Sequence, residues 1–327
     1  MAVALGVVLA GMLWGGIEVL FRGLAWWRGP LIETHFTESN EGLFTEHPRL
    51  GYAMQPGAVV QAAKYRASGP AYAVTYTIDA FGRRHTPHTA PAARPSKALF
   101  FGGSFTFGEG VEDAETLPAQ FAKAAPDYAA INYGCKGYGP QHMWLQATAQ
   151  DFTAEGAQTR GVAFYVFIDH HLARLAGSMQ VTATWGANLP HVTGGPAGLQ
   201  YQGSFETSRP IRQLLYRAAM HLPSVDYLHL DWPPVGNRST VKLLAQICAE
   251  TRDALAARFE QFQFYVILFP GARLGPRIQP ALKAAGVEYL DFSGLFPLKD
   301  EDCFLIDGHP SLEGHRRLAE AMAQRFQ

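Results

Sequence analysis

The sequence predicts an α/β fold, a three-layer α/β/α sandwich built on a parallel sheet, and three observations predict it. Short apolar runs of strand length recur after residue 97, segments of helical composition separate them, and the runs close on glycine-rich turns. The segments before residue 97 follow a different pattern and are expected to be additions to that fold.

From the N-terminus, Ala2 to Leu20 (AVALGVVLAGMLWGGIEVL) approaches the ~20 apolar residues that cross a bilayer as a helix, so residues 1–28 are expected to form a membrane anchor. Trp26 and Trp27 suit the headgroup region, Arg22 and Arg28 lie just beyond the span, and no small-residue cleavage site follows. With no Lys or Arg ahead of the span, a strict positive-inside count leaves the globular part in the cytoplasm. Glu18, near the end of the run, keeps a buried helix as the alternative.

Residues 29–96 read as an extended, β-rich lead-in and linker. Pro48, Pro56 and Pro70 punctuate the segment, and AYAVTYTI (Ala71 to Ile78) alternates as a half-buried strand does. DAFGRRHTPH (Asp79 to His88) reads as a turn and APAARPS (Ala90 to Ser96) as a linker.

Residues 97–327 carry the repeating pattern. Strands are expected at Lys97 to Phe101, Tyr128 to Tyr133, Val162 to Ile168, Phe264 to Phe269 and Val287 to Asp291, each a continuous apolar run suited to burial on both faces. Helices are expected around Thr116 to Ala125, Gln141 to Ala154, Thr240 to Phe259 and Ser311 to Phe326, the last with Leu312, Leu318, Ala319 and Met322 near helical spacing. An insertion at about 178–237, with one helix near Ile211 to His221, is too long for an ordinary connection and is expected to shape a pocket.

Composition narrows the function. With 48% hydrophobic and 17% charged residues the chain holds a real core. Lys plus Arg (27) nearly balances Asp plus Glu (28) with no dense basic run, which argues against a nucleic-acid partner. Cys135, Cys248 and Cys303 lack a C-x-x-C spacing and the twelve histidines include no H-E-x-x-H, so no metal site is expected.

Three segments fall where strands end and active sites form in such sheets. In FFGGSFTFGEGV, Ser104 follows a strand between residues that allow a tight turn. INYGCKGYGPQ leaves backbone amides accessible at Gly134, Gly137 and Gly139. DGHPSLEGH places Asp307 and His309 before the last helix, with Ser311 as its N-cap. A serine needs a base to take its proton and the base needs an orienting group, which His309 and Asp307 supply; residues two apart in extended chain point to one side. The amides of Ser104 and Gly137 are the candidate oxyanion donors. Each piece taken alone also fits a plain turn, a local cap or a surface histidine.

Together GGSFTFG, NYGCKGYG and DGHPSLEGH resemble the first, second and last blocks of the SGNH, or GDSL-like, hydrolases, over roughly Lys97 to Gln327. The resemblance implies a flavodoxin-like α/β/α fold of esterases, lipases, deacetylases and glycan acyltransferases, with Ser104 as nucleophile, Gly137 as oxyanion donor, His309 as base and Asp307 as its orienting carboxylate. Its anchored members carry a helix ending like GIEVLFRGL, which implies a membrane-anchored enzyme with its catalytic domain periplasmic or extracellular. Three departures stand out. Gly-Gly-Ser replaces Gly-Asp-Ser, the closing Asp-x-His is one residue short, and the third block reads FIDHHLAR where an asparagine is usual. Laying the strands together puts His170 at that position, with His171 beside it, and a neutral imidazole can donate one N–H.

The expected function is therefore a cofactor-free serine ester hydrolase acting on an acylated envelope glycan, lipid or polymer. A glycan O-acetyltransferase using the same triad and a non-catalytic envelope scaffold or glycan-binding protein are the alternatives.

Overall fold

The computed structural model describes residues 2–28, 36–67, 69–87, 94–149 and 159–326. The first part of the lead-in, most of the expected linker and the far end of the helix expected to reach Ala154 lie outside these residues.

Helix α1 (Ala2–Arg28) opens the chain. Among the described residues no helix is long and apolar enough to cross a membrane, so the expected span has no counterpart there. Glu18 interrupts the apolar run and is committed elsewhere, accepting hydrogen bonds from the Ser224 N–H (3.0 Å) and hydroxyl (2.7 Å). Phe21 and Arg28 both pack on the Tyr227 ring. The alternative of a buried helix fails as well, because Leu13 and Val19 are 70% and 71% exposed.

The lead-in is β-rich as expected. Strands β1 (Thr37–Ser39), β2 (Phe44–His47), β3 (Gly51–Met54), β4 (Val59–Arg66) and β5 (Gly69–Thr77) form an antiparallel β2–β3 hairpin and an antiparallel sheet in the order β1-β4-β5. It is no separate unit, since Leu43, Met54, Val60 and Tyr76 share one buried cluster with Phe107, Cys135, Tyr138 and Leu145 of the later chain. Arg84 fastens the two parts. Its fully buried guanidinium, between the Tyr76 and Phe107 rings, pairs with Asp113 (2.6 Å) and donates to the Val111 carbonyl (2.9 Å). Breaking such a pair from one side costs about 3 kcal/mol or more.

The α/β part runs β6 (Ser96–Gly102), α2 (Ser104–Phe107), α3 (Leu117–Ala124), β7 (Tyr128–Asn132), α4 (Pro140–Ala149), β8 (Arg160–Phe167), α5 (His170–Ala176) and α6 (Met179–Thr182). The insertion follows with β9 (Pro190–Thr193), β10 (Gln200–Ser204), α7 (Phe205–Ser208), α8 (Pro210–Ala219) and α9 (Pro223–Tyr227). Then come α10 (Arg238–Ala256), β11 (Gln261–Leu268), α11 (Gly275–Ala284), β12 (Glu288–Asp291) and α12 (Leu312–Ala323). All five expected strands form one parallel sheet in the order β12-β11-β8-β6-β7.

Period-two alternation sorts that sheet into two cores. Leu99, Phe101, Tyr165 and Phe167 face α4, α5, α10 and α11 through Met143, Leu172, Leu244 and Ile278. Ala98, Phe100, Phe164 and Val166 face α3 and α12 through Phe121, Leu318 and Met322. The three expected layers result. Because the chain goes from β6 to β7 on one side and then to β8 on the other, the order reverses at β6, and a crevice opens at the carboxyl ends of β6 and β8.

Candidate active site

Ser104 is the first residue of α2, directly beyond β6, so the crevice receives its hydroxyl at the start of a helix. Gly103 before it is crowded on its side-chain face. A Cβ there would lie 2.6 Å from Arg174 Nη1, 2.9 Å from Nε2 of the buried His171 and 3.1 Å from the Tyr138 carbonyl oxygen. The glycine that departs from Gly-Asp-Ser is thus matched to the side chains arriving from α5.

The loop bearing Asp307 and His309 is closed from both sides. Leu305 N–H donates to the His309 carbonyl (2.7 Å), Ser311 N–H donates to the Cys303 carbonyl (2.9 Å), and Phe304 bridges to Pro310. Ser311 caps α12 through a bond from Gly314 N–H (3.3 Å). The expected extended chain is instead a tight turn, since Gly308 takes φ +83°. The turn still brings the two side chains together. Asp307 Oδ2 lies 2.9 Å from His309 Nδ1, and Asp307 Oδ1 accepts the His309 backbone N–H at 3.2 Å. On the other side of the ring, Nε2 lies 3.0 Å from Ser104 Oγ. A carboxylate on Nδ1 selects the tautomer with its hydrogen there, leaving Nε2 a lone pair toward the serine.

Two further charged groups meet this line. Lys64, from β4, donates from its ammonium to Asp307 Oδ2 (2.9 Å) and to Glu109 Oε1 (3.0 Å). Glu109 Oε2 stands 3.3 Å from His309 Nε2. Glu109, Asp307 and His309 bring ligand atoms within 4.8 Å of one another, as a cation site would. The Lys64 ammonium already holds the place between the carboxylates, so the positive charge there comes from the protein. Burial alone would raise the Asp307 carboxyl, but the hydrogen bonds and charges of His309 and Lys64 outweigh it and hold the group well below the usual carboxylate range. For Lys64, burial pulls down and the carboxylates of Glu109 and Asp307 push up, with a net rise.

Gly137 lies across the crevice at φ +82°. A Cβ on it would come 2.1 Å from Tyr52 Oη, whose hydroxyl donates to the Lys136 carbonyl at 2.7 Å, so β3 of the lead-in fixes this loop. Neither Ser104 nor Gly137 finds a backbone partner for its N–H among the described residues. Lys136 pairs with Glu38, and burial draws its ammonium down to about 8.

His170 is not brought to the site. It opens α5 on the exposed side, and His171 is the imidazole turned inward, buried with its Nδ1 2.7 Å from Tyr165 Oη and its Nε2 unpartnered among the described residues. Burial first, and then Arg174, push His171 well below the ordinary imidazole range, so it is neutral. Arg174, one helical turn on from His170, reaches the cavity. Its guanidinium donates to the Tyr138 carbonyl at 2.7 Å and lies 5.7 Å from the Trp185 ring centre. Ser104, His309, Glu109, Gly137, Arg174 and Trp185 line one open cavity of about 540 Å³. Glu109 and Arg174 lie inside two of the quoted segments, which assign them no role, and Lys64 lies outside all of them. The topology brings the three together.

No family model matches the chain, and no curated protein matches it. Among solved structures it is similar to a member of the lipolytic protein G-D-S-L family from Veillonella parvula DSM 2008, at 13% identity over 70% of this chain and 97% of that one, with a TM-score of 0.41. A carbohydrate esterase described as displaying divergent catalytic and non-catalytic binding functions is 12% identical over 90% and 98% of the two chains, with a TM-score of 0.44. A carbohydrate esterase family 2 enzyme with a carbohydrate binding domain from Corynascus thermopiles (Myceliophthora fergusii) is 11% identical over 89% and 87%, with a TM-score of 0.43. At that level of likeness no residue role transfers, and the chemistry follows from the geometry alone.

Proposed function

We propose that the chain is a serine ester hydrolase of the SGNH (GDSL-like) kind, an esterase or deacylase working through an acyl-Ser104 intermediate. The observation that carries this reading is the unbroken line of hydrogen-bond contacts from Ser104 Oγ to His309 Nε2 (3.0 Å) and from His309 Nδ1 to Asp307 Oδ2 (2.9 Å). As Ser104 Oγ attacks the ester carbonyl, its proton passes to Nε2, and His309 returns it to the leaving alcohol. Asp307 stays ionised and holds the ring. Water then attacks the acyl-serine by the same route, so atoms and charge balance without any cofactor.

The negative oxygen formed in each half needs donors. The N–H groups of Ser104 and Gly137 supply two, and Arg174 supplies the third in place of the expected His170. Arg174→Gln lowers kcat on a small ester about 10²-fold with little change in KM, the behaviour of an oxyanion donor. His170→Ala leaves both constants as they are. The opposite ranking in steady-state kinetics would return the role to the histidine.

Location narrows the substrate. The exposed apolar side of α1, with Leu9, Met12, Leu13, Leu20, Trp26 and Trp27, supports attachment to a membrane surface. With the catalytic domain periplasmic or extracellular, an acylated envelope glycan or lipid is the reading we favour. A fluorophosphonate probe tests the core claim, because it reacts only with an activated serine. Mass spectrometry should find the adduct on the Ser104 peptide, and a chain left unlabelled across pH 6 to 9 would count against serine catalysis.

A further inference from the structure

A second cavity, about 720 Å³, is not the one that holds Ser104. It lies on the other side of α5, where Leu175 and Ala176 line it while Arg174 of the same short helix lines the catalytic cavity. About one helix diameter, roughly 10–12 Å, separates the two. Its opposite walls are the insertion, through His191, Arg209, Arg212 and Trp232, and the first turns of α10, through Lys242.

Its chemistry is one-sided. Three permanent cations, Arg209, Arg212 and Lys242, line it, and no aspartate or glutamate stands among its described lining residues. Arg212 is held in place, its Nε donating to Tyr216 Oη (2.7 Å) and its Nη2 to the Gly177 carbonyl (3.2 Å). The Arg209 and Lys242 side chains make no hydrogen bond or ion pair among the described residues. Burial and then the neighbouring Arg212 both lower the Arg209 guanidinium, so the cluster is repulsive as it stands. Unpaired like charges around a cavity are relieved by an anion.

His191 narrows what kind of anion. It is buried and stacked on Phe205, and burial followed by Arg209 and Arg212 brings it down to about 4, so it is neutral near pH 7. Ser208 Oγ donates its one hydrogen to the Ser204 carbonyl (2.5 Å) and therefore accepts from His191 Nδ1 (2.9 Å). The hydrogen is on Nδ1, which leaves Nε2 a lone pair able to accept from a hydroxyl. Trp232, 62% exposed, adds an aromatic face.

Cations, a hydroxyl acceptor and an exposed indole together fit a ring that carries both hydroxyls and a carboxylate. We propose that this cavity is a binding site for an acidic saccharide, with Arg209, Arg212 and Lys242 on its carboxylates, His191 Nε2 on a hydroxyl and Trp232 against a sugar face. The site is independent of the catalytic reading. Where both hold, an acidic polymer is gripped on one side of α5 while an ester on it is cut on the other.

Calorimetry on the full chain tests this with a tetra-uronate, a neutral tetrasaccharide of equal length and inorganic phosphate. The tetra-uronate should bind, more weakly as salt is raised, and Arg209→Gln/Lys242→Gln should weaken it at least tenfold while turnover of a small soluble ester stays at the wild-type level. Trp232→Ala should weaken it separately. Equal binding of the neutral sugar, phosphate binding as tightly as the uronate, or an unaffected double variant would each overturn the assignment. Ser104→Ala must still bind the tetra-uronate, which keeps this result separate from any failure of the esterase reading.

Discussion

Ser104→Ala should lower kcat/KM on a small soluble ester by about 10⁴-fold or more while leaving the fold unchanged. The size follows from what the residue does. Ser104 Oγ lies 3.0 Å from His309 Nε2 and is the hydroxyl that would form the covalent bond to the acyl carbon. Removing it leaves His309, the backbone donors and Arg174 in place, so the residual rate reports donors and binding alone. Stability should change little. The side chain is small, and its one contact of note is with His309, which keeps Asp307 and Phe105 as neighbours. Melting curves matched to wild type, together with retained ligand binding, separate lost chemistry from lost structure. A variant that keeps a tenth of the wild-type rate would end the case for an acyl-serine intermediate.

Strands β6, β7 and β8 were legible because they are buried on both faces over most of their length and therefore read as continuous apolar runs, as does the second half of β11. Strand β12, at the sheet edge and at most half-buried, was legible from its short run beside the buried Val287. Helix α11 was not, because Pro276 and Pro280 read as breakers. One of those prolines sits in the first turn, where a missing N–H costs nothing, and the other is accommodated inside the helix. Ser104, Asp307 and His309 were legible because the turns that present them are local in sequence. The partners that tune them were not. Lys64 meets Asp307 across 243 positions, so no window along the chain could pair them. The expected place of His170 failed by register. The apolar run of β8 fades into the start of α5, and on a helix one step turns a side chain about 100° away, which is why His171 is buried and His170 is exposed. Arg174 shares the face of His170 one turn on, and its longer side chain reaches the Tyr138 carbonyl.

The lead-in was expected to be an appendage, and its contacts give it a part in the site. β4 delivers Lys64 to Asp307, β3 delivers Tyr52 to the Gly137 loop, and Arg84 locks the turn after β5 against the loop that follows Ser104. A catalytic domain cut at residue 97 would therefore lack groups that hold all three of its working segments. The sequence boundary and the functional boundary differ for a physical reason. Composition changes at residue 97, but the buried cluster around Phe107 crosses it.

The second large effect is expected at Asp307, and its pattern distinguishes orientation from mere charge. Asp307→Asn should lower kcat by about 10³- to 10⁴-fold with KM nearly unchanged, because an amide nitrogen facing His309 Nδ1 favours the tautomer that carries its hydrogen on Nε2, where the serine proton must go. Lys64→Met removes a cation from Asp307 Oδ2 without touching the imidazole, so it should cost far less, about tenfold, and act on kcat rather than KM. The pH dependence follows from the depressed carboxyl. Its pKa in the folded chain lies below the unfolded value near ~3.9, so the ion contributes stability above that pH and loses it as pH falls further. The stability lead of wild type over Asp307→Asn should accordingly be full at neutral pH and shrink below about pH 4. Lys64→Met, by weakening what holds the pKa down, should make that lead smaller and complete its loss at a higher pH, while the loss still begins near the unfolded value. Equal kcat losses in the two variants would mean that the pair only neutralises charge, and the orienting role of Asp307 would have to be given up.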